Sequence, residues 1–241
     1  MQFMHELELE PGLLITAERG AILSEHRICV IADLHIGVEA TLGIPANIQM
    51  KEMEERVSAL IENYHIKELL INGDLKHTFS GNIVEEWMEI PKLLDYLRQK
   101  VNVTIVRGNH DNFLLNITAR YGVEVVEHYT IGNFVFAHGH KPLPKREDSQ
   151  IYILGHEHPA IKLYDRIGGY LKIPVFLWHT QKYLVLPAFS PWTYGHDLAD
   201  GEVLVESVDR RDYLDAELFG CTDYGLLKLP KLREVLGAGR L

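Results

Sequence analysis

Val101-Asn102-Val103-Thr104-Ile105-Val106-Arg107-Gly108-Asn109-His110-Asp111 is a mostly apolar run that breaks on a glycine into three polar residues. A run of this length suits a buried strand, and the glycine permits a tight turn at its end. Two earlier stretches repeat the pattern. Residues 28–32 are continuously apolar and stop at Asp33-Leu34-His35, and residues 68–72 stop at Gly73-Asp74. Between these runs the sequence reads as helix. Met50, Met53, Val57, Leu60 and Ile61 recur at three- and four-residue spacing over 47–64. Trp87, Ile90, Leu94 and Leu97 mark one face over 84–99, with Pro91 a candidate bend. Asp33 and Asp74 lie 41 residues apart, and Asp74 and Asn109 lie 35 apart. Each interval is long enough for a right-handed parallel crossover. Open α/β sheets place their sites beyond the carboxyl ends of the strands, so the three clusters are expected on one edge.

After about Gly122 the rhythm changes. Short apolar runs at 123–126, 133–137, 151–154, 173–178 and 182–186 follow closely, as in a β-rich half with hairpin connections. Two of them end on polar clusters, Ala137-His138-Gly139-His140 and Gly155-His156-Glu157-His158. Residues 187–201 read as irregular loop and 202–207 as a strand. Near the start, residues 3–9 alternate apolar and acidic, like a half-buried strand. No repeat or linker divides the chain, so residues 1–241 are expected to form one domain of α/β class.

Bulk properties narrow the function. The 241 residues are 46% hydrophobic and 24% charged, an ordinary globular composition. The net charge of −10 lacks the basic footprint of a general nucleic-acid binder, so any nucleic-acid contact would be local. No apolar run approaches a membrane span, and residues 1–10 carry acids where a signal peptide carries bases. Cys29 and Cys221 are read as reduced buried thiols, which fits a cytoplasmic protein without membrane partners.

The clusters carry the chemistry. In extended backbone, residues i and i+2 point the same way, so Asp33 and His35 can grip the same ion, and His156 and His158 are expected on one side of their segment. The Asp74 carboxylate can bridge two cations. Asn109 offers a carbonyl oxygen, and the adjacent His110 points elsewhere and can give a proton to a leaving group, with Asp111 expected to fix its tautomer. Singly, each such residue is commonly a cap or turn group. Together, five clusters after five expected strands supply three oxygen and four nitrogen ligands.

The ordered set D-x-H, G-D, G-N-H-D, H-G and G-H-x-H resembles that of the calcineurin-like metallophosphoesterases. Ala32-Asp33-Leu34-His35-Ile36-Gly37 and Gly73-Asp74-Leu75-Lys76-His77 look most like the SbcD-like branch, in its small archaeal or DNA-ligase-associated form. The resemblance implies a four-layer α/β/β/α sandwich with two facing mixed sheets. It implies one metal on Asp33, His35, Asp74 and His158, a second on Asp74, Asn109, His138 and His156, and His110 as the acid. Two divalent ions ~3.5–4 Å apart clamp a phosphate and lower the pKa of a bridging water. The mixed N and O donors suit Mn, Fe, Zn, Ni or Co better than Mg, and the family makes manganese the expectation.

Some residues stay open between two readings. His77 is a candidate for substrate binding or an ordinary loop histidine. His140 either supports the ligands or caps a turn. Lys141, Lys145 and Arg146 either attract phosphate or belong to a solvated mixed-charge loop with Glu147 and Asp148. Trp192 and Tyr194 either shape the site mouth or pack in a loop, and His179 and His196 have no evident partner. The expected substrate is a phosphate ester, with a phosphodiester preferred by resemblance and a nuclease as the sharper alternative. A non-catalytic scaffold of the same fold is disfavoured because the D-x-H and G-N-H clusters are intact. The HD-type reading of His110-Asp111 or His196-Asp197 needs a helical context, and the first pair follows a strand. No G-x-S-x-G elbow or G-x-x-x-x-G-K-[S/T] loop is present, so any ATPase, helicase or ligase partner would be a separate chain.

Overall fold

The computed structural model describes residues 3–44, 48–165, 167–193 and 195–237. Its first sheet runs in chain order: β1 (Glu6–Glu10), β2 (Leu13–Thr16), β3 (Ala21–Leu23), β4 (Ile28–Ile31), β5 (Glu68–Asn72), β6 (Asn102–Val106) and β7 (Glu124–Val126). Strands β1 to β4 pair antiparallel and β4 to β7 parallel. The helices interleaved with them are α1 (Val38–Thr41), α2 (Ile48–Asn63), α3 (Val84–Arg98) and α4 (Leu114–Thr118).

The second sheet holds β8 (Tyr129–Ile131), β9 (Phe134–Ala137), β10 (Ile151–Leu154), β11 (Pro159–Tyr164), β12 (Tyr170–His179), β13 (Tyr183–Val185), β14 (His196–Asp197), β15 (Glu217–Thr222) and β16 (Gly225–Leu229). Two short helices, α5 (Arg210–Asp215) and α6 (Leu232–Gly237), complete the chain.

Alternation along the strands builds the layers. In β4, Cys29 and Ile31 pack with α2 and α3, while Ile28 and Val30 face the second sheet. Leu69 and Ile71 of β5 face the helices, and Leu70 faces inward. From the other side, Ile151, Ile153, Phe176 and Trp178 point into the space between the sheets. Leu154, Val175 and Leu177 point outward, under Leu198, Tyr213 and Leu232. Period-2 side chains bury both faces of each sheet, so the molecule is an α/β/β/α sandwich. No helix among the described residues is long and apolar enough to cross a membrane.

Several expectations need correction. Strand β10 pairs parallel with both β9 and β13, so the second half is not a simple run of hairpins. Residues 202–207 form no strand, because Leu204 and Val205 give their N–H groups to the Glu157 carboxylate and Glu206 gives its own to the Gly139 carbonyl. Trp87 is 47% exposed; Glu86, wholly buried, takes the inward position on α3. Helix α3 continues through Pro91. Strand β11 was hidden by its opening proline and by Lys162, and the β15–β16 hairpin by the mixed composition of the tail. Asn47, the expected first residue of α2, and Met1 and Gln2 lie outside the described residues.

One polar residue joins the sheets. Asn72 ends β5 on its inward face and is fully buried. Its amide donates to the carbonyls of Ala137 (3.2 Å) and Ile153 (3.0 Å), at the ends of β9 and β10. Losing a buried donor strands its acceptors at about 1–3 kcal/mol each. Asn72→Ala is therefore expected to lower unfolding stability by about 2–4 kcal/mol in urea melts; an unchanged midpoint would contradict this bridging role.

Candidate metal centre

Each polar cluster follows the carboxyl end of a strand: Asp33 and His35 after β4, Asp74 after β5, Asn109 after β6, His138 after β9, and His156 and His158 after β10. Because β4, β5 and β6 are parallel neighbours, and β9 and β10 likewise, the five ends meet across the two sheets. Backbone bonds lock the approach. Asp33 N donates to Gly73 O (3.0 Å), His35 N to Asp74 O (2.9 Å), and Gly155 N to His138 O (3.0 Å).

Donor atoms of Asp33, His35, Asp74 and His158 lie within 4.8 Å of one another, and so do those of Asp74, His138 and His156. Asp74 belongs to both groups. Asn109 Oδ1 joins the second, 3.2 Å from His138 Nε2. Within the first, His158 Nε2 is 3.1 Å from Asp33 Oδ1 and 3.1 Å from His35 Nε2. Within the second, His138 Nε2 is 3.3 Å from Asp74 Oδ2. All seven residues expected as ligands are thus brought together.

Their local geometry differs from the extended arrangement read from the sequence. Asp33, His35, Asp74, His156 and His158 have φ of 58°, 47°, 51°, 68° and 46°. These are left-handed conformations, which Asp, Asn and His tolerate better than other non-glycine residues. Each still costs of order 1–3 kcal/mol and persists only where its surroundings impose it. The side chains converge through tight turns, not through i, i+2 alternation. Two glycines make room: a Cβ on Gly73 would sit 2.1 Å from His138 Nδ1, and one on Gly108 2.1 Å from Asp74 Oδ1.

Opposite charges balance the buried acids. Burial pushes the carboxyls of Asp33 and Asp74 up, but His158 and His138 outweigh it at Asp33, and His138 and His35 at Asp74, so both stay ionised. Burial likewise opposes charge on His138, yet Asp74 and Asp33 raise it to about 9. Asp33 raises His158 against its burial. His35 and His156 are held neutral, at about 3 and about 4, by burial and by the cations beside them.

A cation site must present lone pairs, and the ring partners show that this one can. His138 Nδ1 donates to Asn72 O at 2.9 Å, which leaves Nε2 facing the carboxylates. A second layer fixes the turns. Glu157, wholly buried, accepts from Tyr213 Oη (2.8 Å), His196 Nδ1 (2.5 Å) and Leu204 N (2.8 Å), and so holds the turn that carries His156 and His158. Gln49 donates to the carbonyl of Leu34 (2.7 Å), between Asp33 and His35. The donor set, its oriented tautomer and its burial fit a pair of divalent cations.

His110 sits beside these groups. Its backbone N–H donates to Asp74 Oδ1 (2.9 Å), and its Nδ1–H donates to the His77 carbonyl. Asp111 does not orient His110, contrary to expectation. Its buried carboxylate accepts from Gly108 N (2.8 Å) and Lys76 N (3.3 Å) and closes the 108–111 turn. Burial and Asp74 raise that carboxyl to about 6.

The His77 loop rests on an ion pair that sequence reading missed. Lys76 and Glu86 are both fully buried, Nζ to Oε2 3.9 Å. Glu86 accepts from the backbone N–H groups of His77, Thr78 and Ile83, and Lys76 binds the carbonyls of Thr78 and Gly81. The G-D-x-K stretch and an acid in the first turn of α3 were the only signals.

His77 itself lines a cavity of about 340 Å³ with His35, His110, His158 and Trp192, over the donor groups. His140 packs on His138 and His156, and its Nδ1 makes no turn hydrogen bond. Lys141 pairs with Glu127 (2.7 Å), and Arg146 caps local carbonyls, as in a self-contained loop. His196 does have a partner, Glu157, and His179 lies 4.0 Å from Asp212. Tyr194 lies outside the described residues.

A two-sheet sandwich with clustered Asp, His and Asn donors at its strand ends defines a candidate metal-binding protein. The chain belongs to the calcineurin-like phosphoesterase family, whose model matches residues 26–220. It is therefore a hydrolase acting on phosphoester bonds. Among solved structures, it is similar to the Pseudomonas putida nuclease MPE (TM-score 0.68, 22% identity, covering 94% of this chain and 100% of that one). It also matches Yfce, a phosphoesterase from E. coli, at TM-score 0.41 and 14% identity, covering 85% of this chain and 98% of that one. No curated protein sequence matches the chain.

Two outcomes follow from the shared carboxylate and the protonated rings. Asp74→Asn is expected to cut bound divalent metal from two equivalents to one or fewer by elemental analysis; two equivalents in the variant would contradict the sharing. Ligation through Nε2 must expel the proton that Asp74 and Asp33 hold on His138 up to about pH 9. Metal uptake near pH 7.5 is therefore expected to release protons, and affinity to weaken as pH falls. Calorimetry in buffers of different ionisation enthalpy reads this directly, and equal heats would contradict it.

Proposed function

We propose that the chain is a dinuclear-metal phosphodiesterase of the SbcD-like branch, with His110 as the proton donor to the leaving oxygen. One observation carries this reading: two donor groups share a single carboxylate, Asp74. Asp33, His35, Asp74 and His158 would hold one ion, and Asp74, Asn109, His138 and His156 the other. Manganese is the metal of choice, with Fe, Zn, Ni or Co able to replace it, since the donors are nitrogen and oxygen without thiolate. When bound, two such ions polarise the phosphoryl oxygens and lower the pKa of a water between them.

The chain's own groups supply the rest. With its N–H on Asp74 and its Nδ1–H on the His77 carbonyl, His110 is clamped from two sides. Its Nε2 is left to carry the proton that a departing alkoxide needs. The cavity over the donors has apolar walls at Val38, Leu42 and Trp192, which suit the organic part of an ester. His77 lies against it and is assigned to substrate contact. The buried cysteine thiols, both pushed up by desolvation, agree with a cytoplasmic setting.

A nuclease is the second reading, favoured by two exposed aromatic side chains. Phe79 is 56% exposed and stands edge-on to His110 at 5.8 Å between ring centres, and Phe113, 57% exposed, follows on the turn after Asp111. Exposed rings of this kind give nucleobases a stacking surface. A chain of net charge −10 would then receive its strand through local contacts or from a separate ATPase, helicase or ligase partner.

With Mn present, the purified protein is expected to hydrolyse bis(p-nitrophenyl) phosphate. His110→Ala should lower kcat by about 10²–10⁴-fold while Mn content stays at two equivalents. Equal rates in the two proteins would defeat the role given to His110.

A further inference from the structure

A second cavity, of about 150 Å³, adjoins the metal centre at His158 and is walled by Arg19, Lys172, Ala188, Thr193 and Gly195. Since a water occupies ~30 Å³ of the liquid, this admits about five such groups, the heavy-atom count of a phosphate. No carboxylate among the described residues lines it.

Its two cations are tethered but not neutralised. Arg19 spends Nη1 on the carbonyls of Ala188 (3.2 Å) and Ser190 (3.1 Å), and Lys172 Nζ donates to Gly195 O (2.6 Å). Neither forms an ion pair among the described residues, whereas the nearby Asp197 is taken by Lys162 at 2.9 Å. Burial lowers both, Arg19 to about 10 with the neighbouring Arg56 adding to the effect, and the more distant Asp197 offsets burial only in part at Lys172. Thr193 Oγ1 is buried without a hydrogen-bond partner. In a chain of net charge −10, two cations without an ion pair lining one cavity, with an unpartnered threonine hydroxyl buried in its wall, are a built arrangement.

We propose that this cavity is an anion subsite that takes a second phosphate of the substrate, so that the chain acts on esters carrying two phosphate groups. The inference rests on the phosphoesterase reading above, with His158 as the residue common to the subsite and the metal centre. Arg19 and Lys172 bind the second phosphate by charge-assisted hydrogen bonds and so position the first over the donors.

The test uses the Mn-loaded full chain and three p-nitrophenyl esters. The first is of thymidine 5′-phosphate, with one phosphate. The second adds a 3′-phosphate, as a nucleic-acid backbone would. The third is of thymidine 5′-diphosphate, as in a polyphosphorylated small molecule. Wild type is expected to favour one of the two-phosphate esters over the first by at least about tenfold in kcat/KM, and the favoured arm names the source of the phosphate. Lys172→Met should reduce that preference to within about twofold. Lys172→Gln, which keeps a donor for the Gly195 carbonyl, should do the same if the methionine variant fails to fold. No preference in wild type, or the same preference in a folded variant, overturns the proposal. If none of the esters is hydrolysed, the phosphodiesterase reading fails separately, and binding decides the subsite. Either thymidine 3′,5′-bisphosphate or thymidine 5′-diphosphate should then bind wild type at least about tenfold tighter than thymidine 5′-phosphate, a difference lost on Lys172→Met. Equal affinities overturn it.

Discussion

Two carboxylates, Asp33 and Asp74, lie buried beside each other where the two sheets meet. Burying like charges together is unfavourable by several kcal/mol unless other charges and donors compensate. Much of the structure around them supplies that compensation. His138 and His158 bring positive charge, and the backbone N–H groups of His156 and His110 cap the carboxylate oxygens. Divalent cations would serve the same carboxylates more fully, and the imidazoles would then present lone pairs in place of protons. The fold thus holds an arrangement costly without cations and complementary to them.

Rigidity comes from outside the donor set. Asn72 ties β5 to the ends of β9 and β10 and also orients the His138 ring through its carbonyl. Glu157 stands between His156 and His158 in sequence but points away from the metal centre, into a polar knot with Tyr213 and His196. The Lys76–Glu86 pair fixes the loop whose carbonyl holds His110. Such partners keep five left-handed Asp and His residues in conformations they would not choose alone.

The strand-end clusters could be read from the sequence because each is short and each follows an apolar run, and the fold brings them to one place. The way they converge could not. Asp33-Leu34-His35 and His156-Glu157-His158 look like extended triplets, yet their positive φ values come from turns imposed by the neighbouring strand ends. Asp111 next to His110 suggested a carboxylate–imidazole pair, but sequence adjacency turned the two side chains apart. Glu86 and Trp87 exchanged expected roles because the inward carboxylate has a buried lysine ten residues upstream to meet. Partners separated by tens of residues leave no local pattern: the Glu157–Tyr213 contact spans 56 positions.

The acidic balance of the chain and the basic lining beside His158 are the two sides of the proposed design, in which polyanions are repelled in general and a phosphate would be admitted at one small recess. That design has meaning only if the seven donors do surround two cations. Anomalous diffraction from crystals soaked in manganese tests this most directly. Two peaks bridged by the Asp74 carboxylate, one toward His35 and His158 and one toward Asn109, His138 and His156, are the expected map. A single peak, or peaks lying away from Asp74, would contradict the account.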